Sequence, residues 1–126
     1  MKFYRCPYCG NIITKLTDGG PAVICCGETM ELLEADSVDA SLEKHVPVVN
    51  TENGEVSVFI GQAEHPMIPE HWIEWIVLET DRGFYVRELS PGDSPRAAFR
   101  LSEEERPVTA YAYCNLHGLW KIDIKE

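Results

Sequence analysis

Beyond residue 40 the chain alternates apolar and polar positions with a period of two, the spacing of half-buried strands. The alternation is clearest near the C-terminal end, where Trp120, Ile122 and Ile124 take turns with Lys121 and Asp123. The same reading predicts strands over 46–49, 56–60, 72–80, 84–89, 97–101, 108–113 and 119–124. Turn residues separate them: Asn53-Gly54 is a strong two-residue hairpin signal, and Asp81-Arg82-Gly83 divides the next pair. Helical periodicity longer than a few turns is not evident. Seven short strands in about ninety residues predict an all-β, immunoglobulin-like antiparallel sandwich, a scaffold that presents its chemistry on loops.

Ahead of residue 35 the pattern changes. Short apolar runs at 12–16 and 22–24 flank Asp18-Gly19-Gly20-Pro21, which predicts two small strands around a turn. So short a piece cannot bury a self-sufficient core, because modules below ~40 residues generally need a metal, a disulfide or a partner. The chain therefore divides into a first domain, 1–35, and a second, 36–126, with a linker near 34–40.

Charge narrows the function classes. The 126 residues carry a net charge of −10, and 44% of them are hydrophobic, enough for a real core. Residues 1–34 hold three basic against four acidic groups and the remainder eight against seventeen, so the domains carry −1 and −9. A nucleic-acid partner is excluded on that balance. No apolar run exceeds five residues (22–26 and 110–114), too short for a signal h-region or a membrane span. The expectation is a cytoplasmic protein with no membrane partner. In that reducing compartment clustered cysteines are better read as metal ligands or redox groups, and an odd count of five argues against a purely disulfide framework.

All five cysteines and all four histidines fall into two groups. Cys6-Pro7-Tyr8-Cys9-Gly10, followed by Cys25-Cys26-Gly27, has metal-knuckle spacing, with Gly10 and Gly27 free to take the dihedrals such turns need. Four thiolates fit zinc or a single iron, and ligand type does not separate the two. A zinc ribbon is one reading; a thioredoxin-like redox pair lacks its strand-helix context. Adjacent ligands at Cys25 and Cys26 constrain the angle between their sulfurs and predict a distorted tetrahedron. The second group is His45, His65, His71, Cys114 and His117, at strand ends and loops. Pro66 and Pro69 stiffen the segment that carries His65 and His71. Five nitrogen and sulfur donors suit a higher coordination number at iron better than four-coordinate zinc. An open zinc site for hydrolysis, a structural zinc module for protein interaction, and a Cys114 nucleophile with His117 as base are the alternatives.

These motifs resemble a known family along nearly the whole chain. Cys6, Cys9, Cys25, Cys26, Gly10-Asn11 and Met30 resemble desulforedoxin, and the fold implied is a rubredoxin/desulforedoxin-like metal-knuckle domain. Glu43-Lys44-His45-Val46-Pro47, His65-Pro66-Met67, His71 and Cys114-Asn115-Leu116-His117-Gly118 resemble superoxide reductase, or neelaredoxin. Together they resemble desulfoferrodoxin, the two-iron superoxide reductase. The resemblance implies two mononuclear non-haem irons. Cys6, Cys9, Cys25 and Cys26 would hold an Fe(Cys)4 centre, with zinc as an alternative occupant. His45, His65, His71 and His117 would lie around the second iron, with Cys114 axial and the sixth position open. Glu43 matches the carboxylate that can fill that position in the oxidised state, and Lys44 the cation that attracts substrate. The implied reaction reduces superoxide to hydrogen peroxide without forming dioxygen, with electrons from an external donor such as rubredoxin. A homodimer is also implied. Trp72, Trp75 and Trp120 are expected in the core, and Glu103-Glu104-Glu105 in a solvated loop or acidic patch.

Overall fold

The computed structural model describes residues 1–125, which form two compact units divided between Glu34 and Ala35. The first unit is built from the short strands β1 (Tyr4–Arg5), β2 (Ile12–Ile13), β3 (Ile24–Cys25), β4 (Glu28–Thr29) and β5 (Glu31–Leu32). They pair antiparallel in the order β2-β1-β5, with β3-β4 as a separate hairpin. The strands on either side of Asp18-Gly19-Gly20-Pro21 do not pair with each other. That turn forms, with Gly20 N–H donating to Asp18 Oδ1 at 2.9 Å, but its flanks pair elsewhere. The cysteine knuckle draws Ile12–Ile13 onto Tyr4–Arg5 instead, through bonds from Cys6 N–H to Asn11 O (2.9 Å) and Gly10 N–H to Cys6 O (3.0 Å). Ile24–Cys25 folds back on Glu28–Thr29 across Cys26-Gly27. Among the described residues only Phe3, Cys6 and Met30 of this unit are buried, a core too small to hold the fold without a cross-link.

The second unit begins with the single helical turn α1 (Leu42–His45). Seven strands follow among the described residues: β6 (Pro47–Glu52), β7 (Glu55–Ile60), β8 (Ile73–Thr80), β9 (Phe84–Glu88), β10 (Arg96–Arg100), β11 (Pro107–Cys114) and β12 (Gly118–Asp123). They make two antiparallel sheets, β10-β7-β6 and β12-β11-β8-β9, the all-β sandwich expected from the alternating pattern. Val56, Val58 and Ile60 of β7 and Ala97 and Phe99 of β10 face Ile73, Ile76, Leu78, Ala110, Ala112 and Cys114 across the core. Burial of each large apolar side chain contributes roughly 1.5–3 kcal/mol. Of the three tryptophans only Trp120 is fully enclosed; Trp72 and Trp75 are half-buried.

One irregularity positions a ligand-bearing end. The β8–β11 register shifts between Tyr113 and Cys114, so that Tyr113 opposes Trp75 while Cys114 opposes Ile73. This bulge keeps Ile73 facing inward at the end of β8, next to His71, a common use of bulges beside functional sites. At the other end of the sandwich, Glu105 is an anchor rather than a solvated charge. It accepts hydrogen bonds from Thr80 Oγ1 (2.5 Å), Tyr85 Oη (2.8 Å) and Ser102 N–H (3.0 Å).

The Thr80 hydroxyl, followed by the Ser102 amide and the Tyr85 phenol, holds the Glu105 carboxyl below its ordinary value of 4.5. A depressed folded pKa stabilises the fold above the ordinary value, and that stabilisation fades as pH falls through the folded one. Glu105→Gln is therefore expected to lower the melting temperature at neutral pH, with the gap to wild type narrowing as pH falls from neutral through and below the ordinary carboxyl value. Calorimetric melts across that range check it; a gap that stays constant or widens in acid refutes the anchoring role.

Candidate metal centres

In the first unit the four sulfurs of Cys6, Cys9, Cys25 and Cys26 lie within 4.8 Å of one another. Cys9 Sγ and Cys25 Sγ are 3.6 Å apart. A regular tetrahedron with metal–sulfur bonds near 2.3 Å has edges of about 3.8 Å, so the cluster has the size of a four-thiolate site. Cys26 takes φ 53° and Gly27 φ 78°, the left-handed pair of a type I′ hairpin turn. Asn53 (51°) and Gly54 (78°) repeat those values in the β6–β7 hairpin. Cys26 thus occupies the place where Asn normally stands, and the turn that reverses the chain also aims the ligand. Asn11 Nδ2 donates to Cys25 Sγ at 3.7 Å.

The electrostatics of this cluster call for a cation. Amide donation from Cys9, followed by that from Tyr8, pulls the Cys6 thiol down to about 6. Hydrogen bonding with Cys6, Cys9 and Cys25 pushes Cys26 up to about 12, and Cys9 and Cys6 raise Cys25 as well. The cluster accepts one thiolate and resists the next. A bound divalent ion reverses that resistance and releases protons as it binds.

In the second unit the four imidazoles form a square. Successive rings in the order His45, His65, His71, His117 have centroids 4.6–5.1 Å apart and interplanar angles of 80–82°. His45 and His71 face each other across it at 6.2 Å and 30°. The nitrogens along two edges are separated by 3.3 Å (His45 Nε2 to His65 Nε2) and 3.0 Å (His45 Nε2 to His117 Nδ1). Dividing these edges by √2 puts the centre about 2.1–2.3 Å from each nitrogen, at and slightly beyond the ~2.0–2.1 Å of zinc–imidazole bonds. Cys114 Sγ is grouped with His45, His65 and His71 within 4.8 Å, and it lies 3.8 Å from His117 Nδ1.

Hydrogen bonds behind the rings set the tautomers. His45 Nδ1–H donates to the Ser41 carbonyl (2.6 Å) and His65 Nδ1–H to the Pro66 carbonyl (2.7 Å). In the neutral rings each Nε2 is then a bare acceptor, and two bare acceptors 3.3 Å apart repel. A shared proton is a poor remedy, since burial lowers His45 and His71 and drives His65 down to about 4. His71 Nε2 is buried with no hydrogen-bond partner among the described residues. These donors fit a metal cation at the centre of the square. Burial raises the Cys114 thiol, while the amides of His117 and Leu116 donate to its sulfur and favour the thiolate.

Glu43 and Lys44 are exposed on α1, one turn that also carries the buried His45. The charge of Lys44 contributes to the lowering of His71 and of His45, after the larger effect of burial. Its ammonium therefore acts on the square electrostatically. Sequence reasoning missed what supports this turn. Ala63 N–H bonds Glu43 O at 2.9 Å, and a Cβ on Gly61 would lie 2.6 Å from Glu43 O, 2.9 Å from Lys44 C and 3.1 Å from Val46 O. Nothing in the local sequence marks Gly61, because the contact is with backbone fifteen to eighteen residues earlier. Trp120, fully buried, packs tilted against His45 with ring centroids 4.9 Å apart, and its indole N–H donates to His117 O at 3.1 Å.

A four-imidazole, one-thiolate centre on a β-sandwich, accompanied by a four-thiolate module, is the equipment of a non-haem metal oxidoreductase. The family described as Desulfoferrodoxin matches residues 37–123, and that described as Desulfoferrodoxin, N-terminal domain, matches 1–33. The chain belongs to the desulfoferrodoxin family. It is 43% identical over 122 residues to the desulfoferrodoxin of Nitratidesulfovibrio vulgaris, covering 97% of this chain and 95% of that one. A desulfoferrodoxin homolog of Archaeoglobus fulgidus is 42% identical over 121 residues, covering 96% and 95%. The crystal structure of the superoxide reductase from Treponema pallidum matches with a TM-score of 0.81 at 34% identity, over 97% of this chain and 98% of that one. The Giardia intestinalis superoxide reductase (1Fe-SOR) covers 67% of this chain and 99% of its own, with TM-score 0.58 at 33% identity.

Gly61→Ala is expected to displace α1, because all three contacts are with backbone that cannot rotate away. Metal stoichiometry at the second centre should fall while the four-thiolate centre keeps its ion. Full occupancy of both centres in that variant would show that the turn adjusts at no cost.

Proposed function

We propose that this protein is a superoxide reductase in which the His45, His65, His71, His117 and Cys114 centre holds the working iron. The reading gives residues 36–126 the catalytic role and residues 1–35 a four-thiolate iron centre in which zinc is an alternative ion. The observation that carries it is the square of inward-facing nitrogens with one thiolate. Similarity to the superoxide reductases of Treponema pallidum and Giardia intestinalis supports it. When bound, a redox-active ion there supplies the single electron that, with two protons, converts superoxide to hydrogen peroxide and forms no dioxygen. The electron is returned by an external donor such as rubredoxin, and the working unit is a homodimer. Five unpaired thiols suit a reducing compartment, in line with a cytoplasmic location.

The side chains divide the remaining work. Neutral imidazoles leave the charge of the centre to be set by the ion and by Cys114, whose thiolate donates electron density and favours release of an electron to substrate. Superoxide approaches a chain of net charge −10, so capture needs a local attraction, which Lys44 provides. Screening over ~8 Å makes this near charge outweigh the distant acidic surface. Lys44 orients the anion and a water rather than giving up its own proton, and the exposed rim lets solvent deliver both protons. Glu43, on the same turn, would be the carboxylate available to ligate the ion in its oxidised resting state.

Metal analysis with visible and EPR spectra tests the reading most directly: iron at the second centre and absorption from ferric thiolate are expected, and two zinc ions in a colourless protein would refute it. Cys114→Ser is expected to abolish superoxide reduction and leave the spectrum of the four-thiolate centre intact; an active variant removes the assignment of Cys114. For Lys44→Ala, pulse radiolysis should find second-order capture slowed roughly tenfold with a weaker salt dependence. An unchanged rate discards steering by this residue.

A further inference from the structure

His71 is held differently from its neighbours in the square. The rings of His45 and His65 are each fixed by a carbonyl behind Nδ1, whereas the His71 ring has no hydrogen-bond partner among the described residues, and its Nε2 is buried. Its aim must come from the chain that carries it. That chain is tied on both sides of His71 by one side chain, Asn115. The carbonyl Oδ1 of Asn115 accepts from Trp72 N–H at 2.9 Å, and its Nδ2 donates to Glu70 O at 3.0 Å. The Asn115 backbone N–H adds a bond to Trp72 O at 3.2 Å. His71 itself is closed onto Ile68 by a reciprocal pair of 3.0 Å bonds, so the 68–71 loop is rigid but needs an external reference.

We infer that Asn115 is the positioning residue of the second centre, a clamp that fixes His71 relative to the Cys114 and His117 loop. The inference rests on the reading of the four-imidazole square as a metal centre. An amide is the side chain this place requires, because one end must accept from an N–H and the other must donate to a carbonyl. Aspartate keeps the acceptor and loses the donor. Alanine loses both. Asn115 lies between two ligands in sequence, so three of the five donors, His71, Cys114 and His117, move as one body only while the clamp holds. Groups behind the ligands commonly change metal affinity by 10–100-fold when removed.

The test is a cobalt(II) titration of the metal-free full chain, followed by visible absorption, for wild type, Asn115→Asp and Asn115→Ala. The four-thiolate centre, with its intense sulfur-to-cobalt bands, serves as an internal standard, and far-ultraviolet circular dichroism checks the sandwich. Cobalt affinity at the second centre should fall in the order wild type, Asp, Ala. The Ala variant should be weakened about 10–100-fold and show a ligand-field spectrum with one nitrogen fewer. If Ala does not fold, the Asp variant carries the test, with an intermediate loss expected. Wild-type affinity and an unaltered spectrum in the folded variants overturn the clamp, as does a lower melting temperature of the metal-free protein with affinity unchanged. Failure of wild type to bind cobalt at the imidazole square would instead overturn the underlying reading of that centre.

Discussion

Two bare imidazole nitrogens, 3.3 Å apart and buried, set the central constraint on the sandwich unit. Carbonyls of Ser41 and Pro66 take the only ring protons of His45 and His65, so neither ring can solvate the other. A proton between them is disfavoured by the same burial that brings them together. Nearly every departure from a plain antiparallel sandwich serves this arrangement. The single turn of α1, the 60–65 segment beneath it and the bulge opposite Cys114 each deliver one or two donors to the same point. The four-thiolate module reaches an equivalent state by other means, crowding sulfurs that cannot all ionise unless an ion joins them.

Much of this was legible before any coordinates. Period-two alternation located the strands because each sheet buries one face in a shared core, and the observed bounds differ from the reading by few residues. Asn53-Gly54 announced its hairpin through residues that tolerate positive φ. The turn at Cys26-Gly27 has the same backbone, yet it was unreadable as a hairpin, since the residue in the Asn place was chosen as a ligand. Strand pairing in the small unit was not readable for a related reason: the knuckle, not the apolar pattern, decides which segments meet. The ligand set was visible because histidine and cysteine occur nowhere else in the chain.

What the sequence concealed is the support behind the ligands. Gly61 looks like any loop glycine until its neighbour across space is seen to be the backbone of residues 43–46. Glu105 sits in an acidic run that reads as solvated, while three donors from separate segments converge on it. Trp120 matches the alternating core pattern, which is correct but incomplete, because the pattern carries no hint of its bond to the His117 carbonyl. The Gly61 and Glu105 contacts depend on long-range geometry, and none of the three alters local periodicity.

Open coordination demands such support. A closed four-ligand site is held by the ion itself, whereas a site that must leave one position free for substrate gains nothing from ligands that can relax into the gap. The sandwich meets this ligand by ligand. His45 and His65 are fixed at the ring by carbonyls, His71 through the chain by the Asn115 amide, and His117 through its own carbonyl by Trp120. Because three different levels of structure are used, no one perturbation frees all four rings. The exposed pair Glu43 and Lys44 sits on the same turn as His45, so these two charged side chains share a base with one of the four rings.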